Sequence, residues 1–177
     1  MGRCVLDPRF RGDDNLLLLR AFAMPPPTIR PARTDEYDEI ARVWMNSWAS
    51  TGLVDPSNFM LANLRARVPL EIEKGRSLFV VDDGGALAAM LALQLPKKQL
   101  NQLFVAPEYQ GKDLGRRLLA FTRHYLPDEI LLRCVLENEK AWRWYEREGF
   151  VFEKEKIDPM TGFVMKYYRW TRAAVES

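Results

Sequence analysis

The chain is poor in the residue types that carry most nucleophilic and metal chemistry. Its 177 residues include one histidine, His124, and two cysteines, Cys4 and Cys134. One histidine gives a His-based triad or a multi-histidine metal site little to work with, so no metal is expected. Two cysteines far apart, in different settings, make no disulfide framework and point to a reducing compartment, hence a cytoplasmic location. Cys134 stands in an apolar run and reads as a small buried hydrophobe. No apolar run approaches the roughly 18 residues that cross a membrane. Neither sign of charge is in excess: 26 Lys and Arg against 24 Asp and Glu leave +2. That is too mild for a nucleic-acid surface, which shows as a strongly basic patch. Neither a membrane nor a nucleic acid is an expected partner.

What is present is the balance of a soluble globular protein, 47% hydrophobic and 28% charged, at a length that fits one domain. Residues 1–23 fit poorly with the rest of the chain. Their Leu16–Leu19 run is short for a signal-peptide core, and Asp13 and Asp14 precede it where basic residues belong. They are expected to be an extension outside the core, with one domain over residues 24–177. Thr28–Arg30 reads as a first strand. Thr34 is the expected cap of a helix through Ile40, Val43, Trp44 and Trp48, ended by Gly52 and Asp55-Pro56. Ser57 caps a second helix to about Lys74, with apolar positions Phe59, Leu61, Leu64, Val68, Leu70 and Ile72, kinked or divided by Pro69. Asp82-Asp83-Gly84-Gly85 marks a hairpin between strands 78–81 and 87–95. A further strand, a helix from Leu114, a strand to Leu136, a helix from Glu139 and two last strands complete the order. The fold class is α+β, around one sheet.

The organising stretch is Leu100–Leu119, LNQLFVAPEYQGKDLGRRLL. An apolar strand breaks at Ala106-Pro107, turns through a Gly-containing polar loop, and restarts as a helix. The first N–H groups of a helix lack internal partners and carry partial positive charge, so this junction suits an anionic ligand.

Two motifs carry a resemblance. Leu103 to Arg116 contains Gln110-Gly111-Lys112-Asp113-Leu114-Gly115, similar to a Gln/Arg-x-x-Gly-x-Gly/Ala loop. Asn138 to Phe150 reads Asn-x-x-Ala-x-x-aromatic-Tyr-Glu-x-x-Gly-Phe. Together with the order of elements, they resemble the GCN5-related N-acetyltransferases (the GNAT family). The resemblance implies a mostly antiparallel sheet of about six or seven strands with about four helices. It implies acetyl-CoA as acyl donor, its diphosphate on the backbone of Gln110, Gly111, Lys112, Asp113, Leu114, Gly115 and Arg116. Its arm would lie along Phe104 and Val105, beside a splay between that strand and the next, with Asn138 contacting it. Tyr145 matches the position whose hydroxyl faces the CoA sulfur, as general acid. The acceptor amine would meet Trp44, Trp48 and Phe59, with Asn46, Met160 and Phe163 nearby. Members of the family are often dimers, so a homodimer is a further implied partner, although no stretch here declares an interface.

Two features depart from the family pattern. Asp113 stands where the motif has its first Gly. Gln99 and Asn101 stand where many members have a basic carboxylate, and neither can accept a proton at neutral pH; Glu137 is the substitute weighed against them. The reading is an N-acetyltransferase acting on an amine of a small molecule or peptide by direct attack. The alternative is a catalytically weak acyl-CoA-binding module of the same fold.

Overall fold

The computed structural model describes residues 26–54, 56–159 and 161–172, without the side chains of Asn58 and Phe59. The extension 1–23, the start at 24, Cys4, Asp55 and Met160 lie outside the described residues. The described elements are β1 (Thr28–Pro31), α1 (Tyr37–Ala49), α2 (Asn58–Glu73), β2 (Ser77–Asp83), β3 (Ala86–Gln94), β4 (Gln99–Val105), α3 (Leu114–Tyr125), β5 (Glu129–Val135), α4 (Glu139–Arg147), β6 (Val151–Ile157) and β7 (Val164–Thr171). This is the expected order, in one sheet arranged β1-β2-β3-β4-β5-β7-β6. Among the described strands only the β4–β5 pair is parallel.

Helices cover both faces, which is why β3 is buried along nearly its whole length. On one face α1 and α2 set Ile40, Trp44, Leu64 and Val68 against Val80 and Met90. On the other, α3 sets Leu114, Leu118 and Leu119 against Leu91, Leu93 and Ile130, with Trp142, Trp144 and Tyr145 of α4 packed at its margin.

Two local expectations are corrected. Thr34 does not cap α1; a 3₁₀ turn, Thr34–Glu36, precedes the helix. Glu36 is buried instead, accepting Arg33 N–H at 2.8 Å and the Arg30 guanidinium at 2.9 Å. Arg30 also donates to Asp82 at 2.7 Å, so this cluster staples the start of α1 to the β1–β2 edge. In α2 the buried stripe is Leu61, Leu64, Val68 and Glu71, not Leu70 and Ile72, which are 43% and 41% exposed. The spacing 61, 64, 68, 71 follows one helical face, and a carboxylate occupies its last place. α2 also runs through Pro69 undivided, and Ser57 Oγ caps it by accepting Met60 N–H at 3.1 Å, as expected.

β4 determines the shape of the site. It pairs with β5 only at Gln99–Leu131 and Leu100–Leu132, after which the strands diverge. On its other side a bulge makes Asn101 the extra residue: Leu93 faces Leu100 and Ala92 faces Gln102. Beyond the bulge, Ala106 N donates to Ala88 O at 2.9 Å, directly across the pair. In an antiparallel ladder bonded pairs alternate with unbonded ones. Phe104 therefore commits its backbone groups to Met90, while Leu103 and Val105 turn theirs into the gap left by β5.

β6 is one of the two edges of the sheet, opposite β1, and all seven of its residues are exposed. A bulge at Glu153 resets its faces. Lys154 and Lys156 lie on one face, opposite Tyr167 and Met165; Phe152 and Glu155 lie on the other, opposite Tyr168 and Lys166.

Candidate active site

The gap between β4 and β5 opens into a cleft of about 620 Å³. Its walls come from three places. β4 and the following loop supply Leu103 to Val105 and Tyr109 to Arg116, apart from Lys112. The start of α4 supplies Glu137 to Ala141 and Trp144. The end of α1 supplies Ser47, Ser50 and Thr51. The sequence-predicted cofactor residues thus come together, with one exception: Lys112 places its ammonium over the Tyr109 ring, 5.0 Å from its centre.

The loop is shaped for close approach of a ligand. Gly111 has φ +76°, a left-handed conformation that glycine takes without strain. Asp113 is also left-handed, at φ +62°, and makes no capping hydrogen bond to α3. Its carboxylate is 65% exposed and lies 3.9 Å from the Arg116 guanidinium. The first amides of α3 are therefore left without a side-chain cap where the helix meets the cleft. Gly115 faces α4: a Cβ there would lie 3.4 Å from the Trp144 ring, at the close limit of ordinary contact. Arg116 Nε closes the same junction on Glu148 Oε1 at 2.8 Å.

Asn138 begins α4, and its carboxamide oxygen accepts Ala141 N–H at 3.3 Å. Its NH₂ remains to donate to a ligand. Tyr145 lies behind the cleft wall, half-buried, with its ring 4.9 Å from Trp144 and 5.5 Å from Phe150. Burial raises its pKa above the ordinary phenol value, with the nearby Cys134 a smaller contributor. Cys134 is buried, and desolvation pushes its thiol up to about 12, so no thiolate forms there near neutrality.

The acceptor-side residues fare differently. Trp44 is buried in the core, stacked on Phe104 at 5.5 Å and capped by the Arg67 guanidinium 4.8 Å from the ring centre. It reaches the cleft only through Phe104. Trp48 is half-buried and is not on the cleft wall, and the Phe59 side chain lies outside the described residues. The small polar residues Ser47, Ser50 and Thr51 line this side instead. The apolar pattern concealed them, because Ser47 sits in the last turn of α1 and Ser50 and Thr51 in the turn that follows it. His124 is exposed on α3 and is not part of the wall. Glu137 is on the wall and exposed.

Sequence reading also missed a buried polar cluster under the cleft. Glu71, with only 1% of its side chain exposed, accepts from Arg67 Nε at 3.0 Å, from Arg76 Nη1 and from Gln102 Nε2 at 3.1 Å. Gln102 thereby ties β4 to α2, two residues before Phe104. The sequence signal was Arg67, Glu71 and Arg76 at spacings of four and five around a buried helix position. No group of three or more His, Cys, Asp or Glu side chains that could hold a metal occurs among the described residues. Nor, among them, is any helix long and apolar enough to cross a membrane.

Residues 74–152 match the acetyltransferase (GNAT) domain family. No curated protein matches the chain significantly. Similar solved structures include the PaiA N-acetyltransferase of Thermoplasma acidophilum in complex with coenzyme A, with TM-score 0.65 and 18% identity over 83% of this chain and 99% of that one. A chimera of spermidine N-acetyltransferase SpeG from Vibrio cholerae and hSSAT gives 0.63 and 20%, over 86% and 100%. The yncA protein of Salmonella typhimurium with acetyl-CoA gives 0.60 and 15%, over 83% and 94%. At these identities the likeness is one of fold. The described chain thus has the GNAT fold, and its residues 74–152 match the acetyltransferase (GNAT) domain.

Proposed function

We propose that the chain transfers the acetyl group of acetyl-CoA to an amine of a small molecule or peptide by direct attack. The observation that carries this reading is the conjunction at the end of β4: outward backbone groups at Leu103 and Val105, beside the uncapped start of α3. The first is the edge an extended amide chain adds to, and the second is an anion seat. Both face one cleft large enough for a cofactor arm. Bound acetyl-CoA supplies an activated acetyl thioester. Val105 offers its carbonyl to an arm N–H, the amides from Gly111 to Arg116 hold the diphosphate, and Asn138 offers its NH₂. Tyr145 keeps its proton through the physiological range and can donate a hydrogen bond toward the departing sulfur. Neither Gln99 nor Asn101 can take the proton of an incoming ammonium, so the amine is expected to enter neutral or to lose its proton to water.

Calorimetric titration with acetyl-CoA, followed by a CoA-release assay over a panel of primary amines, tests the reading. Binding followed by turnover with at least one amine supports it. Binding with no turnover on any amine supports the module reading, which Asp113 and the amides at the base positions favour. No binding overturns both.

Asp113 sets a second expectation. Its carboxylate lies at the α3 N-terminus where an anion would sit, and its backbone is held left-handed. The substitution Asp113→Gly removes one negative charge and the strain together. The strain is present with or without ligand and cancels from the affinity; the charge is worth about 1 kcal/mol, so acetyl-CoA should bind about fivefold more tightly. An unchanged or weaker dissociation constant in the same titration would refute this account of Asp113.

A further inference from the structure

Gln110 makes a contact that loop shape alone does not require. Its Nε2 donates to Val105 O at 3.1 Å and to Ser50 Oγ at 3.2 Å. The orientation of the amide follows from its partners. Val105 O can only accept, and Ser50 Oγ donates its own proton to Ser47 O at 2.7 Å, so both demand the NH₂ end. The two partners belong to opposite sides of the cleft. Val105 O is the carbonyl that β4 turns into the gap. Ser50 follows α1 on the acceptor side, where Thr51 N and Gly52 N are held by Trp48 O and Ala49 O, each at 3.0 Å. One side chain thus gives β4 a substitute for the N–H of a missing neighbouring strand and fastens the α1 end to it.

We propose that Gln110 is a positioning residue that couples occupancy of the donor arm to the acceptor side of the cleft. The inference rests on the function proposed above, since it requires an arm amide to compete for Val105 O. When an arm N–H takes that carbonyl, Gln110 keeps a single exposed hydrogen bond to Ser50, which holds little by itself. The turn after α1 then loosens, and Ser47, Ser50 and Thr51 are freed to reorganise around an amine. The coupling is reciprocal: whatever Gln110 contributes to the closed turn is subtracted from donor affinity.

The test uses the full chain and CoA itself, so no acceptor need be known. Hydrogen exchange over residues 46–54 is followed with and without saturating CoA, after calorimetry fixes the dissociation constant. In the unsubstituted chain CoA is expected to speed exchange there severalfold. In Gln110→Ala and in the near-isosteric Gln110→Met, exchange should be fast already, CoA should add nothing, and CoA should bind about threefold more tightly. If CoA binds the unsubstituted chain without changing exchange in this segment, the coupling does not exist. If both variants respond to CoA as the unsubstituted chain does, Gln110 is not its carrier. Failure of every form to bind CoA overturns the function reading, and this inference with it.

Discussion

Replacement of Tyr145 by phenylalanine is expected to lower kcat by about 100-fold, with the acetyl-CoA dissociation constant and the thermal midpoint nearly unchanged. A positioned proton donor contributes at least about 10²-fold. The ring contacts with Trp144 and Phe150 remain, so packing is preserved. Steady-state kinetics with whichever amine turns over, beside a melting curve, reads both quantities; a kcat within twofold of the parent removes Tyr145 from the chemistry. Burial raises the phenol pKa. A raised acid stays protonated, so kcat should show no alkaline limb from this residue below about pH 10. Stability carries the same sign: burial favours the neutral phenol in the folded state, and that contribution is complete below about pH 10 and lost as pH rises through the raised pKa.

The change Glu71→Gln is expected to cost about 3 kcal/mol of folding stability, measured by urea denaturation at pH 7. Removing one partner of a buried ion pair typically costs about 3–5 kcal/mol. The lower end applies because Arg67 is 46% exposed and can turn to water, whereas Arg76, at 17%, cannot turn out as readily. Burial alone would raise the Glu71 pKa, but the Arg67 hydrogen bond and the charges of Arg76 and Arg67 outweigh it, and the carboxyl is held below its ordinary value. A depressed carboxylate stabilises the fold above the unfolded-state value, near pH 4.3, and loses that contribution as pH falls through the folded-state value. The variant should therefore show a shallower stability loss below about pH 4.3 than the parent. A stability within 0.5 kcal/mol of the parent, roughly the range of an ordinary surface substitution, would show that the cluster holds nothing. A second effect is predicted on kinetics, because Gln102 and the two arginines must then share one acceptor oxygen in place of two, which loosens Gln102 beside the splay.

Much of this was legible because it is periodic or punctuated. The two-residue turn at Gly84-Gly85, the stop at Gly75, the Ser57 cap and the loop from Gln110 to Gly115 announce themselves by residue type, and the structure places each where expected. Illegible features depended on which way a residue faces once the sheet is assembled. Leu70 and Ile72 look like core by composition, and only the helical phase set by Leu61, Leu64 and Val68 turns them outward and Glu71 inward. Phe104 and Val105 are adjacent in sequence, yet the strand turns the backbone of one to β3 and of the other to the cleft. The bulge at Asn101 sets the side-chain facing on either side of it, and nothing in the local sequence announces a bulge. Trp44 fits an acceptor pocket by type, but the α1–α2 contact buries it.

The distribution of charge on β6 has a consequence for assembly. Two copies joined edge to edge about a twofold axis must set residues of the same face opposite one another. Centred on Lys154 or Lys156, the join meets lysine with lysine. Centred on Glu155, it meets glutamate with glutamate, flanked by Lys154 against Lys156. Like charges directly opposed on neighbouring strands repel, and no register about the middle of the strand avoids them. This edge is thus barred from pairing with its own copy, although all seven of its residues are exposed. A symmetric pair of these chains has to meet elsewhere, at the β1 edge or on a face of the sheet, and not through β6.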